Sequence, residues 1–192
     1  MGKVIVFNHV TLDGVMQAPG RPDEDRRGGF KHGGWATARM DAVLGKAAAE
    51  GMSSGGSLLL GRRTFQNFAA FWPKQKDNPF TAALNKTRKY VASRTLKEPL
   101  SWSNSTLLKG DVAKAVAKLK KQSKKDLVIL GSGELIQSLM KHNLIDEYVL
   151  MIHPVVLGSG RRLFTVKGSD ASLQLVNTKN STTGVVIATY TT

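Results

Sequence analysis

The 192-residue chain contains no cysteine. Disulfides, thiolate nucleophiles and cysteine-ligated metals are therefore excluded. Acidic residues are scarce: 14 Asp and Glu stand against 28 Lys and Arg, a formal net charge of +14. No apolar run approaches the ~20 residues needed to cross a bilayer. The first residues, MGKVIVFNHV, lack the long apolar stretch and small-residue cleavage site of a secretory leader. They also lack the Ser or Thr that a myristoylation signal prefers. A cytoplasmic protein without a membrane partner is expected. No internal repeat, linker or low-complexity segment interrupts the chain, so residues 1–192 read as one domain, and the 41% hydrophobic content is normal for a globular one.

The basic excess has three readings: phosphate contacts on nucleic acid, a basic cleft for a phosphorylated small molecule, or a solvated surface. The cations are scattered, with one dense run, KLKKQSKK, at the end of an expected helix, where cations suit the helix dipole. No zinc-finger spacing, aromatic RNA-binding signature or basic tail accompanies them. Nucleic-acid binding is the weaker reading.

Apolar, β-branched runs place strands at residues 3–10, 57–60, 89–92, 106–108, 127–130 and 145–152. A hairpin is expected from strands 173–179 and 185–191, the first alternating apolar and polar residues. Helices are expected over 37–50 with Thr37 as N-cap, from Gly61 or Thr64 to about Trp72-Pro73, over 78–85, over 112–122 capped by Asp111, and over 134–140. Residues 17–34, rich in Pro, Gly and charge, form a long irregular loop of the kind often used as a lid. The rhythm of strands and helices implies a mostly parallel sheet, helix-covered, with an antiparallel edge.

Three strand ends share a design. GRRT follows the strand at 57–60, SRT follows 89–92 and GSGE follows 127–130. Ligands of open α/β sheets sit outside the C-terminal ends of strands. GSGE reads either as an anion cradle, with glycines and free helix N–H groups against a pyrophosphate, or as an ordinary βα turn. Together the three ends offer hydroxyls, helix starts and Arg62, Arg63 and Arg94. A single pyrophosphate needs fewer cations, so the excess suggests NADP rather than NAD, with these arginines on the 2′-phosphate.

The series GRRTF, KYVAS, VILGSGELI and DEYVLMIHPVVLGSGRRLF, preceded by FNHVTLDGVM, resembles the dihydrofolate reductase-like fold. In particular it resembles the C-terminal reductase domain of the bifunctional riboflavin-biosynthesis deaminase-reductase family and its standalone relatives. Thr11 stands where that family's opening motif usually has Ser. The resemblance spans about residues 3–190. It implies an α/β, single-domain dihydrofolate reductase-like fold: a mostly parallel central sheet, an antiparallel C-terminal edge hairpin, and helices on both faces. It further implies a homodimer and an NADPH-dependent reductase. Gly61, Arg62, Arg63 and Thr64 would hold cofactor phosphates, with Ser93 and Arg94 beside the adenosine ribose and its 2′-phosphate. Gly131, Ser132, Gly133 and Glu134 would cover the pyrophosphate and nicotinamide side, and Val6 and Phe7 would edge the nicotinamide. The substrate would lie among Asn8, Asp13, Trp35, Phe65 and Phe68. It would be a small heterocyclic or carbonyl compound, with 5-amino-6-(5-phosphoribosylamino)uracil as the riboflavin-pathway candidate. No metal is expected, and the deaminase's zinc-binding His and Cys set has no counterpart in these residues. The acid that dihydrofolate reductases carry on their first helix has only Asp41 as a possible match.

The expected chemistry is hydride transfer to a polarised C=O or C=N, with Asp13 as the first candidate proton relay. Asp13-Gly14 otherwise reads as just a turn. Trp35 would stack on a planar ring or simply pin its loop. His9 and His32 are possible acids or solvated loop residues, and His153 before Pro154 reads as a strand end. Arg161 and Arg162 are solvated or meet a phosphate or a partner subunit. A side chain added at Gly131 or Gly133 should block the cofactor before it unfolds the protein.

Overall fold

The structure, a computed structural model, describes residues 1–53, 56–76, 78–165 and 170–192. Among the described residues eight strands form one sheet: β1 (Val4–Thr11), β2 (Ser57–Gly61), β3 (Lys89–Ala92), β4 (Ser105–Leu108), β5 (Leu127–Leu130), β6 (Glu147–His153), β7 (Gln174–Asn180) and β8 (Val186–Thr191). Their order is β4-β3-β2-β5-β1-β6-β8-β7. All neighbours from β4 to β6 are parallel. β8 enters beside β6 and runs antiparallel, leaving β7 at the edge.

Among the described residues five α-helices, α1 (Ala42–Ser53), α2 (Arg62–Phe71), α3 (Pro79–Lys86), α4 (Val112–Gln122) and α5 (Gly133–Met140), lie in the crossovers, except that β3 reaches its parallel neighbour β4 without one. The period of two in the strands decides which helix meets which face. Leu59 of β2 packs with Val116 of α4 and Ile136 and Leu139 of α5. Its neighbours Leu58 and Leu60 turn the other way, to Phe65 of α2 and Leu84 of α3. On that second side Leu44 of α1 lies against Met151 and Ile187. Both faces are covered, which is why the central strand LVIL is apolar throughout.

Three expectations change. Thr37 does not cap α1; its hydroxyl donates back to Gly34 O, and Thr37–Arg39 is a 3-10 turn. Asp41 is the cap, accepting from Leu44 N at 2.9 Å, while its other oxygen accepts from Thr182 N and Oγ1. This also removes Asp41 as a substrate acid, because both of its oxygens are engaged between α1 and the β7–β8 turn. The edge strand β7 is exposed along its whole length, so its alternating apolar residues are not half-buried: Leu175 and Val176 are each 52% exposed. Its pairing slips between Leu175 and Asn177, which breaks the alternation. Of the glycine-serine link expected at 51–57, residues 54 and 55 lie outside the described residues.

β3 also carries a lysine in the core. Lys89 is fully buried and donates to Thr87 O at 2.6 Å and Ser103 O at 3.1 Å, with its ammonium 4.4 Å from the Trp102 ring centre. Burial pushes its pKa down to about 8. Among the described residues no carboxylate pairs with it, and the carbonyls satisfy the charge, since a buried charge must be solvated by protein dipoles. Among the described residues, no helix is long and apolar enough to cross a membrane, and no group of three or more His, Asp or Glu could hold a metal.

Candidate active site

The C-terminal ends of β1, β2, β3 and β5 open into one cleft of about 1540 Å³. Two helices begin at its floor, and their starts are stitched together. Gly61 N donates to Ser132 Oγ at 2.9 Å, and Ser132 N donates to Thr64 Oγ1 at 3.1 Å. Ser132 sits in the left-handed region (φ 60), a conformation that costs a non-glycine residue free energy and persists where neighbours hold it. Its hydroxyl donates to Leu130 O and therefore does not cap α5. From β1, Asn8 closes the turn, donating to Gly131 O at 3.1 Å and accepting from Gly131 N at 2.6 Å.

The consequence is electrostatic. Neither α2 nor α5 has a side-chain cap, whereas α3 and α4 are capped by Asn78 and Asp111. The first N–H groups of α2 and α5 are thus left for a ligand, beside a positive helix end. Seven arginines and four carboxylates line the same cleft. Among the described residues Arg62 and Arg94 form no ion pair, so both are available to an anion. Glu134, on the first turn of α5, gathers Arg63 at 3.1 Å and Arg27 and Arg161 at 3.5 Å each. Two open helix starts with unpaired guanidiniums fit a ligand carrying several phosphates.

The 17–34 loop folds over this cleft and is well tied. Gln17, buried, donates to Asp25 O and Arg27 O, and accepts from Arg161 N. Asn67 of α2 donates to Glu24 O. The Arg21 guanidinium lies 4.3 Å from the Phe71 ring centre.

The cleft brings together Phe7, Asn8, Gly61, Arg62, Arg63, Thr64, Phe68, Ser93, Arg94, and Gly131 through Glu134. Four other expected site residues lie off its lining. Val6 is fully buried in the core against α4 and α5, because it points to the face opposite Phe7. Phe65 is fully buried against Trp102. Trp35 is buried and donates Nε1–H to Gln17 O, so it anchors the loop. Asp13 is a loop clamp: it accepts from Thr11 Oγ1 at 2.6 Å, Gly158 N at 2.9 Å and Leu157 N at 3.2 Å, and pairs with Arg162. The Thr11 hydrogen bond, above all, holds its carboxyl down to about 2. Such a group keeps no proton to relay at neutral pH.

The sequence reading passed over a histidine pair. His9 Nδ1 and His153 Nε2 lie 2.8 Å apart on the adjacent strands β1 and β6. His9 lines the cleft; His153 is fully buried, with Trp35 edge-on at 5.2 Å. Burial pushes His9 down to about 3 and His153 to about 4. Each stands at a strand's C-terminal end, a signal visible in the sequence, but their meeting depends on which strands are neighbours. Arg27 and Arg161 were likewise unplaced until the loops closed.

Known proteins are similar to this chain in sequence and fold. Residues 2–187 match the RibD C-terminal domain. The chain is 31% identical over 192 residues to the uncharacterized protein YyaP of Bacillus subtilis (strain 168), covering 98% of this chain and 94% of that one. It superposes on the crystal structure of a "putative riboflavin biosynthesis protein" from Shewanella sp. PV-4 with a TM-score of 0.74 and 26% identity, covering 100% and 98% of the two chains. Acinetobacter baumannii RibD gives a TM-score of 0.67 at 12% identity; all of this chain aligns with 58% of that one, a likeness of fold. The single sheet, the cleft at its strand ends and the match over nearly the whole length agree: the chain belongs to the RibD C-terminal domain family.

Proposed function

We propose that the protein is an NADPH-dependent oxidoreductase that reduces a C=O or C=N bond of a small heterocyclic or carbonyl substrate. The observation that carries this reading is the pair of uncapped helix starts, α2 and α5, joined at Gly61 and Ser132 and flanked by the unpaired Arg62 and Arg94. A cofactor with a pyrophosphate and a 2′-phosphate matches that donor set. The pyrophosphate belongs at Gly131 to Leu135 and the 2′-phosphate at Arg62, Arg63 and Arg94. Bound there, the cofactor supplies a hydride. The protein positions the substrate between Phe7 and Phe68, and the tied 17–34 loop excludes water.

Family membership supports 5-amino-6-(5-phosphoribosylamino)uracil as the first substrate to assay, since the Thermotoga maritima structural relative is named for that reductase activity. We place the protein in the cytoplasm as a homodimer. The reading is tested by titrating NADPH and NADH and following nicotinamide fluorescence. NADPH should bind below ~0.1 mM, the upper part of the usual KM range. Arg62→Ala should weaken NADPH by roughly 10–100-fold, the loss of a charge-assisted hydrogen bond, and NADH far less. Equal losses for both cofactors would reject the 2′-phosphate assignment.

A further inference from the structure

We infer that His153 holds His9 as its neutral Nε2–H tautomer, and that His9 donates this hydrogen bond to the heteroatom of the C=O or C=N being reduced. His9 is then a catalytic residue and His153 a positioning residue. The inference rests on the reductase reading for its substrate, but not for its tautomer.

The tautomer follows from hydrogen-bond bookkeeping. One proton must lie between His9 Nδ1 and His153 Nε2, which are 2.8 Å apart. His153 Nδ1 is buried and has no partner among the described residues. If His153 carried its proton on Nδ1, a buried N–H would be orphaned, the more costly of the two defects; a bare ring nitrogen is the milder one. The proton of His153 is therefore on Nε2 and points at His9 Nδ1. His9 must accept it, so His9 carries its own proton on Nε2.

That atom is free to act. His9 lines the cleft, and its Nε2 has no partner among the described residues and is not sealed from solvent. Burial and the neighbouring ring both disfavour an imidazolium. The Arg39 guanidinium further disfavours charge on His153. Asp13 and Asp41 are engaged elsewhere. A neutral imidazole N–H is a hydrogen-bond donor that polarises a carbonyl without giving up its proton. The step balances accordingly. Carbon takes a hydride, the π pair moves to the heteroatom, that atom takes a proton from water, and the dihydronicotinamide is left oxidised. The same geometry sets specificity: the atom facing His9 must be an acceptor, a carbonyl oxygen or a bare ring or imine nitrogen, and never an N–H.

The test begins on the free, full-length protein labelled with ¹⁵N-histidine. Long-range ¹H–¹⁵N correlation at pH 7 should show His9 protonated on Nε2 and bare on Nδ1. His153→Phe should scramble this preference, and His153→Gln, which restores an N–H donor, should recover it. A proton on Nδ1 of His9, or no response to His153→Phe, overturns the assignment. Turnover is then read with NADPH and 5-amino-6-(5-phosphoribosylamino)uracil. His9→Phe should lower kcat/KM by about 100-fold while the NADPH Kd, which also reports folding, changes by less than about twofold. His9→Gln, which keeps a donor, should retain most of the rate. Wild-type kcat/KM in His9→Phe overturns the catalytic role. Failure of the wild type to bind NADPH rejects the reductase reading instead, and leaves the tautomer to the NMR result.

Discussion

At the scale of single residues, pH separates groups that the charge count cannot. His9 and His153 are held at about 3 and 4, below the ordinary 6.5, so the unfolded chain binds more protons than the folded one as pH falls below 6.5. Their contribution is complete above that value and is lost on acidification, at up to about 1.4 kcal/mol per pH unit for each histidine. Urea midpoints from pH 7 to pH 5 should therefore fall, and the fall should be shallower in His153→Phe. A flat wild-type profile would contradict the burial of the pair. Asp13 behaves differently: its carboxyl, held at about 2, keeps its charge throughout that range. Asp13→Asn should leave the pH profile of turnover unchanged while destabilising the 13–16 and 157–162 loops by about 1–3 kcal/mol, the cost of impairing a partly buried, charge-assisted hydrogen-bond set.

At the scale of elements, the β5–α5 turn is the part on which the site depends. Asn8→Ala leaves both backbone groups of Gly131 without their partner. It should cost about 1–3 kcal/mol in urea unfolding and also weaken NADPH, because the start of α5 is no longer held. The two glycines of this turn answer differently from the simple blocking expected of both. Gly131 has φ +59, and an added Cβ would lie 3.2 Å from Thr64 atoms. Gly131→Ala should thus destabilise the fold by about 1–2 kcal/mol whatever it does to a ligand. At Gly133 an added Cβ meets the flexible end of the Met16 side chain, its sulfur at 2.7 Å and its methyl at 3.5 Å. Gly133→Ala is the cleaner probe: near-normal stability with weakened NADPH. These elements were largely legible in the sequence, because apolar runs, Asn78 and Asp111 mark their ends locally. Thr37 misled because a hydroxyl can bond backward as well as forward; Asp41, four residues on, caps the helix instead through Leu44 N. Val6 and Phe65 misled because proximity in sequence to a motif does not say which face of a sheet a side chain takes. The histidine pair was illegible because it is made by two strands 144 residues apart that become neighbours only in the sheet.

At the scale of the whole molecule, the exposed β7 offers unpaired backbone groups and two exposed apolar side chains, an edge that natural proteins cover. Sedimentation should give twice the 20.8 kDa chain mass, and a Lys at Val176 should shift it toward monomer. A monomeric wild type would reject that assembly. The net charge of +14 is partly concentrated in the arginines of the cleft, so NADPH affinity should fall as salt rises. The central claim is that phosphates bind where α2 and α5 begin together. It is tested most directly by a crystal structure of the protein soaked with NADPH. The account predicts the pyrophosphate against the first N–H groups of α5, the 2′-phosphate on Arg62, Arg63 and Arg94, and the nicotinamide in the cleft beside Phe7. Phosphates bound away from both helix starts, with Gly61 and Ser132 untouched, would contradict it.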